Sequence, residues 1–171
     1  NTVNGYLNEL NTYSDKTIYS FSDMTESIGK FTNAGVSLED SVLAIKGISN
    51  AAAVSGANAN EASRAMYNFA QALSSGSVKL MDWKSIELAN MATQEFKQQL
   101  IDSAVAAGTL TQGLDGMYYT LEGSALNATK GFNESLQDQW MTTAELISTL
   151  KDYSDETTEI GKKAYATAQD V

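Results

Sequence analysis

The sequence contains no cysteine, no histidine and no proline in 171 residues. Without Cys and His there is no thiol nucleophile, no Ser-His-Asp triad, no disulfide, and none of the usual zinc or haem ligands. The same absence leaves the redox compartment unmarked. Without Pro nothing breaks a helix outright, and Ala and Ser recur throughout, so the composition leans toward helix. Positive charge is scarce as well. Eleven Lys and Arg stand against twenty-one Asp and Glu, a formal charge of −10 and an isoelectric point near 4.3. Phosphate-backbone binding depends on Lys and Arg displacing counterions, so no direct nucleic-acid binding is expected. No run of about 18 apolar residues occurs, so no transmembrane helix is expected and membrane contact is not indicated. The first residue is Asn and no signal peptide follows it, so the chain reads as a piece of a much longer protein.

What is present is an ordinary globular content of hydrophobic residues, 43%, arranged mostly at helical spacing. Tyr6, Leu7, Leu10 and Tyr13 form a first stripe, and Ile18, Phe21, Met24, Ile28 and Phe31 a second that Gly35 closes. Ser37 starts the next helix, with Glu39 and Asp40 in its first turn and a stripe of Leu38, Val42, Ile45, Ile48 and Ala52. Gly47 inside it costs about 1 kcal/mol relative to Ala and marks close helix packing. After Gly56, Asn58 and Glu61 make a capping-box-like pair ahead of Ala62, Ala65, Met66, Phe69, Ala70 and Leu73. Gly76 stops that helix, and Asp82 is read as the cap of a short one carrying Trp83 and Ile86. A helix ending at Gly108 has the stripe Phe96, Leu100, Ile101, Ala104 and Val105.

From 109 to 130 the texture changes to Gly and Thr, and "MYYTL" and "SALNAT" flank a turn at Glu122-Gly123, which reads as a small β-hairpin near 117–129. Helical spacing returns with Phe132, Leu136 and Trp140. Thr142 and Glu145 form a capping box before Leu146, Leu150 and Tyr153, and a last helix with a thin stripe runs from about Asp155. The expected fold is therefore mainly α, a compact bundle of short helices joined by Gly-marked turns. Residues 1–171 are read as a single domain, helical over 1–108 and 131–171.

The stretch 63–91, "SRAMYNFAQALSSGSVKLMDWKSIELANM", interleaves aromatics with Arg and Lys. Its spacing turns most of the aromatics inward, so it reads as core and not as a base-stacking surface. Candidate chemistry is thin. Glu134 and Asp138 are four apart and could share a helix face as a glycosidase pair would, although a solvated face explains them as well. Asp152, Asp155, Glu156 and Glu159 cluster, but Thr157 stands where a calcium loop needs Gly. "GTLTQGLD" from Gly108 has phosphate-loop glycines, yet Leu114 and Asp115 replace the required Lys and Ser or Thr. Asn127 and Asn133 fit the glycosylation pattern, which is common by chance, and Tyr118 and Tyr119 fit either a partner patch or alternate burial across the hairpin. No catalytic, cofactor-binding or metal-ligating residue is expected.

Three stretches carry more: "YSDKTIYSFSDMTESIGKFTNAGV", "LEDSVLAIKGISNAAAVSGANANEASRAMYNFAQALSSGSVKLMDWKSIELANM" and "FNESLQDQWMTTAELISTLKDYSDET". In order and nearly end to end, they resemble the N-terminal tape-measure domain of bacteriophage or prophage tail tape measure proteins. The family's aromatic and Thr segment is matched by Tyr13, Thr17 and Phe21, its Ala-rich paired helices by Ala51 to Ala53, and its Leu-x-Asp-Trp-like step by Leu80, Asp82 and Trp83. A later aromatic-x-x-Ser-Leu element followed by Trp is matched by Phe132, Ser135, Leu136 and Trp140, with Thr143 in the helix start beyond. Met66 and Phe69 join these as expected core positions.

The resemblance implies a structural protein of the tail and not an enzyme. The parent chain's length would set that of the tail tube, and it would occupy the virion tail lumen after assembly in the host cytoplasm. Its partners would be the tube protein, tail assembly chaperones and tail-tip or baseplate proteins, with self-association in the parent protein, and it would leave ahead of the DNA at infection. The competing readings are a cell-wall hydrolase module using Glu134 or another carboxylate and an interaction module for chaperones or tube subunits. The turns at Gly35, Gly56, Gly76 and Gly108 imply that this segment folds back on itself.

Overall fold

A computed structural model describes residues 2–17, 19–155 and 157–170, so Ile18 of the second stripe and Glu156 of the acidic cluster lie outside the described residues. The chain begins with six helices: α1 (Thr2–Lys16), α2 (Phe21–Asn33), α3 (Leu38–Ser55), α4 (Ala59–Ser74), α5 (Leu80–Leu88) and α6 (Gln94–Ala107). An antiparallel sheet follows, in the order β1 (Leu110–Gln112), β2 (Tyr118–Thr120), β3 (Ala125–Leu126). The chain then forms α7 (Phe132–Ser135), a 3₁₀ turn (Leu136–Asp138), α8 (Thr143–Ser154) and α9 (Glu159–Asp170).

Side-chain caps set several helix starts. Ser37 accepts from the Asp40 amide at 3.1 Å, and Thr93 accepts from the Phe96 amide at 3.1 Å. Asn58 and Glu61 exchange bonds of 2.8 and 3.0 Å in a full capping box. Thr142 donates its amide to Glu145 at 2.8 Å and its hydroxyl to the same carboxylate. Gly56 and Gly108 close α3 and α6 in the left-handed conformation that Gly adopts without a Cβ clash.

Helix α3 is the axis of the fold. From Ser41 to Ala53 it buries small or apolar residues on every face, and α1, α2, α4, α8 and α9 pack around it. Gly47 explains how α8 comes so close. A Cβ built there would lie 1.9 Å from the Leu150 carbonyl oxygen, so backbone meets backbone at that point. The buried hydrophobic residues form one continuous cluster from Leu10 to Ala168.

Several local expectations are corrected. Asp82 does not cap α5: Lys79 occupies the cap position and donates its amide to the Asp82 carboxylate at 3.1 Å, from the third helical position. Leu80 opens that helix at 40% exposure, so it is a surface residue and not core. Val105 falls outside the α6 stripe and is exposed, because it lies about 100° round the helix from Ala104. The hairpin is present as β2 and β3, with Tyr118 opposite Leu126 and Gly123 in the turn at φ +98°, but β1 adds a strand on its other side.

Residues 132–140 are not one helix. One α turn passes into the 3₁₀ turn, which Gln139 ends at φ 56°, and Trp140 follows outside it. All three large residues are still buried, and the Trp140 indole donates to Ser135 Oγ at 2.8 Å. Asp155 closes α8 instead of opening the last helix, which starts at Glu159.

Candidate functional surfaces

Family-motif residues from distant parts of the chain converge on one aromatic cluster. Trp83 of α5 stacks on Phe96 of α6 at 6.3 Å and meets Phe132 at 4.9 Å. Phe132 meets Trp140 edge-on at 5.5 Å, while Phe96 also contacts Phe69 of α4 and Tyr153 of α8, at 6.2 and 5.6 Å. Aromatic pairs at such distances add to the burial of the rings themselves. Lys97 lies over the outer side of Phe132, 5.4 Å from its centroid. The cluster is closed: Phe69, Trp83, Phe132, Leu136 and Trp140 are all buried, and their ring contacts hold α4, α5, α6 and the segment before α8 together. Phe96 and Tyr153, which complete it, carried only a helical spacing in the sequence.

Tyr13 and Thr17 belong to a second group. Thr17 donates its hydroxyl to the Tyr13 carbonyl at 3.0 Å. The Tyr13 phenol, whose proton burial holds more tightly, donates to Asn50 of α3. Asn50 in turn donates to the Tyr153 carbonyl at 2.8 Å, tying α1, α3 and α8 together. Phe21 is half-buried at the start of α2, and Met66 is buried on α4, where its sulfur accepts from Ser27 at 3.5 Å. Asn50 is the residue that sequence reasoning missed. It is a polar side chain in a helix buried all round, so no periodicity sets it apart.

The two carboxylates considered as an acid–base pair do not share one α-helix. Glu134, which is exposed, lies in α7, and Asp138 ends the 3₁₀ turn that follows. Hydrogen bonds from the Ser124 and Thr120 hydroxyls hold the Asp138 carboxyl below the usual carboxylate range, and the Thr120 bond is 2.6 Å. A group held ionised in this way is a poor proton donor at neutral pH. Among the described residues no three carboxylates are placed to hold a metal ion. In the stretch compared with a phosphate loop, Asp115 accepts from the Met117 amide at 3.0 Å and from the Tyr119 hydroxyl, which puts a carboxylate where a phosphate would need a cation. Tyr118 and Tyr119 are both half-buried instead of alternating. The amide nitrogens of Asn127 and Asn133 are engaged, with the Met117 sulfur and with Glu87.

Among the described residues, no helix is long and apolar enough to cross a membrane. The exposed apolar side chains are Met81 and Leu88 on α5, Leu114 and Leu121 at the two turns of the sheet, and a few others singly. A crevice of about 750 Å³ runs between the α2–α3 turn and α8, where Lys151 bridges to Asp40 at 3.1 Å.

Residues 1–152 match the family described as Tape measure protein, and the chain belongs to that family. Its role is structural, in the phage tail, where its partners are tail components, and the family is not known as enzymatic. No curated protein and no solved structure matches the chain.

Proposed function

We propose that residues 1–171 act as one folded module of a tail tape measure protein, serving tail assembly without adding to the measured length. The observation that carries this reading is the backbone contact between Gly47 and Leu150, which closes a long stretch of sequence onto itself. Drawn out as one helix, the chain would span about 260 Å, whereas α3, its longest helix at 18 residues, spans about 27 Å. In this reading the parent chain sets tube length from the tail lumen and leaves ahead of the DNA, while this module meets tube subunits, assembly chaperones or tail-tip proteins in the host cytoplasm. The exposed Met81 and Leu88 on α5 support an interaction role within the same particle. In-frame deletion of these residues, with tail length measured by electron microscopy, is the test. Unchanged length or failure to begin tails is expected. Tails shortened in proportion to the residues lost would assign the segment to the ruler.

A further inference from the structure

Helix α5 carries apolar side chains on both of its sides. Trp83 and Ile86 are buried, while Leu80, Met81 and Leu88 are exposed, Met81 at 81% and Leu88 at 71%. A surface helix ordinarily turns one apolar stripe to the core and polar residues to water. Among the described residues no other helix exposes more than one large hydrophobic side chain: α1 has Val3, α4 has Tyr67 and α6 has Val105. Single exposed hydrophobics need no explanation, but a grouped second face is the pattern of a surface that another molecule covers. The face continues into a crevice of about 490 Å³. Lys79 and Leu80 line it from α5, Glu134 from α7, and Leu136, Gln137 and Gln139 from the 3₁₀ turn and its end.

Charge narrows what can cover this face. Lys84 stands in its middle, one turn after Leu80 and one turn before Leu88. The ion pairs among the described residues join Lys30 to Glu26, Lys46 to Glu9 and Lys151 to Asp40, and none includes Lys84. Both carboxylates of α5 are engaged elsewhere. Asp82 accepts from the Lys79 amide at 3.1 Å, and Glu87 accepts from the Asn133 side chain at 3.3 Å. A molecule that covers Leu80, Met81 and Leu88 therefore takes the Lys84 ammonium out of water, which opposes the apolar gain unless an anion meets it. A second copy of this chain does not supply one. Each copy carries a formal charge of −10, and two-fold pairing of α5 about its middle would set Lys84 against Lys84. Glu134 repels a further carboxylate from the crevice, so the anion belongs on the face itself.

We infer that α5 is the docking face for an amphipathic helix of another tail protein, whose apolar stripe is interrupted by an Asp or Glu that pairs with Lys84. The inference rests on the interaction role proposed above and names the chemistry of the partner. The crevice beside Leu80 gives such a helix a second wall. Apolar contact supplies the attraction, and the charge pair selects partner and register. The nine residues of α5 span about 14 Å, so two or three turns of the partner suffice.

Photo-cross-linking in the full parent protein during tail assembly tests this, with Leu88 replaced by p-benzoylphenylalanine. The cross-linked segment, read by mass spectrometry, is expected to come from another tail protein and to carry apolar residues at steps of three and four with a carboxylate among them. Lys84→Glu is expected to lower the cross-link yield at least about tenfold, and reversing the partner's carboxylate to Lys to restore it. Lys84 is exposed, so the emission of buried Trp83 stays unchanged in that variant. A cross-link to a segment without a carboxylate, or to another copy of this chain, would overturn the inference alone. So would a yield that Lys84→Glu leaves intact, or one that the partner's reversal fails to restore. No cross-link at all would remove the interaction role of α5 with it, while tail length after deletion decides the folded-module reading separately.

Discussion

Substituting Gly47 by Ala would set a Cβ 1.9 Å from the Leu150 carbonyl oxygen, and neither backbone can yield without moving its helix. Overpacking of this kind costs about 3 kcal/mol. Gly47→Ala is therefore expected to lower the denaturant midpoint strongly with an unchanged slope. Gly29 in α2 is the matched control, since nothing lies within 4 Å of its Cβ position. Ala there is expected to add about 0.5–1 kcal/mol by removing backbone freedom from the unfolded chain. Equal effects at the two sites would contradict the close α3–α8 contact. Asn50→Ala leaves the Tyr13 hydroxyl and the Tyr153 carbonyl without their partner, a loss of about 1–3 kcal/mol for a buried unmatched group. Chemical denaturation of that variant checks it, and a neutral result would mean that water replaces the amide. The sequence marked Gly47 as a packing site because Gly is out of place within a helix, but it could not name Leu150 as the partner.

At the scale of elements, helix starts were the most legible feature, because a cap is a local event between residues three apart. Ser37, Asn58 with Glu61, and Thr142 with Glu145 all stand where their side chains indicated. The start of α5 is not legible in the same way, because Lys79 offers no side-chain acceptor and Asp82 is the next residue that does. Strand β1 has three residues, too few for an alternating pattern to register. Phe132, Leu136 and Trp140 kept a helical spacing while the backbone turned to 3₁₀ geometry, because burial in the aromatic cluster, and not the helix, fixes them.

The sheet carries a pH prediction. The Tyr119 hydroxyl and the Met117 amide hold Asp115 below the usual carboxylate range, as the Ser124 and Thr120 hydroxyls hold Asp138. Each carboxyl titrates lower folded than unfolded, so each stabilises the fold above the ordinary carboxylate pKa and ceases to do so as pH falls through its lowered value. Between about pH 5 and pH 2 the wild type is therefore expected to lose more thermal stability than an Asp115→Asn, Asp138→Asn double variant. Parallel losses would show that these bonds do not bias folding.

For the whole molecule, family membership was legible through order: motifs that are weak singly recur in sequence from Tyr13 to Trp140, all inside the matched residues 1–152. The fold gives these motifs a physical reason, since Phe69, Trp83, Phe132 and Trp140 meet in one cluster that joins α4, α5, α6 and the segment before α8. The convergence of those distant stretches was not legible, because spacing reports which face of a helix is apolar and not which helix it faces. The central claim is that this segment stays folded and does not measure. Duplicating it in tandem within the parent gene tests that most directly, because any assembly task performed by the first copy is retained. Tails of unchanged length by electron microscopy are the expected result; tails lengthened by up to about 260 Å, the span of the added residues as one helix, would contradict it.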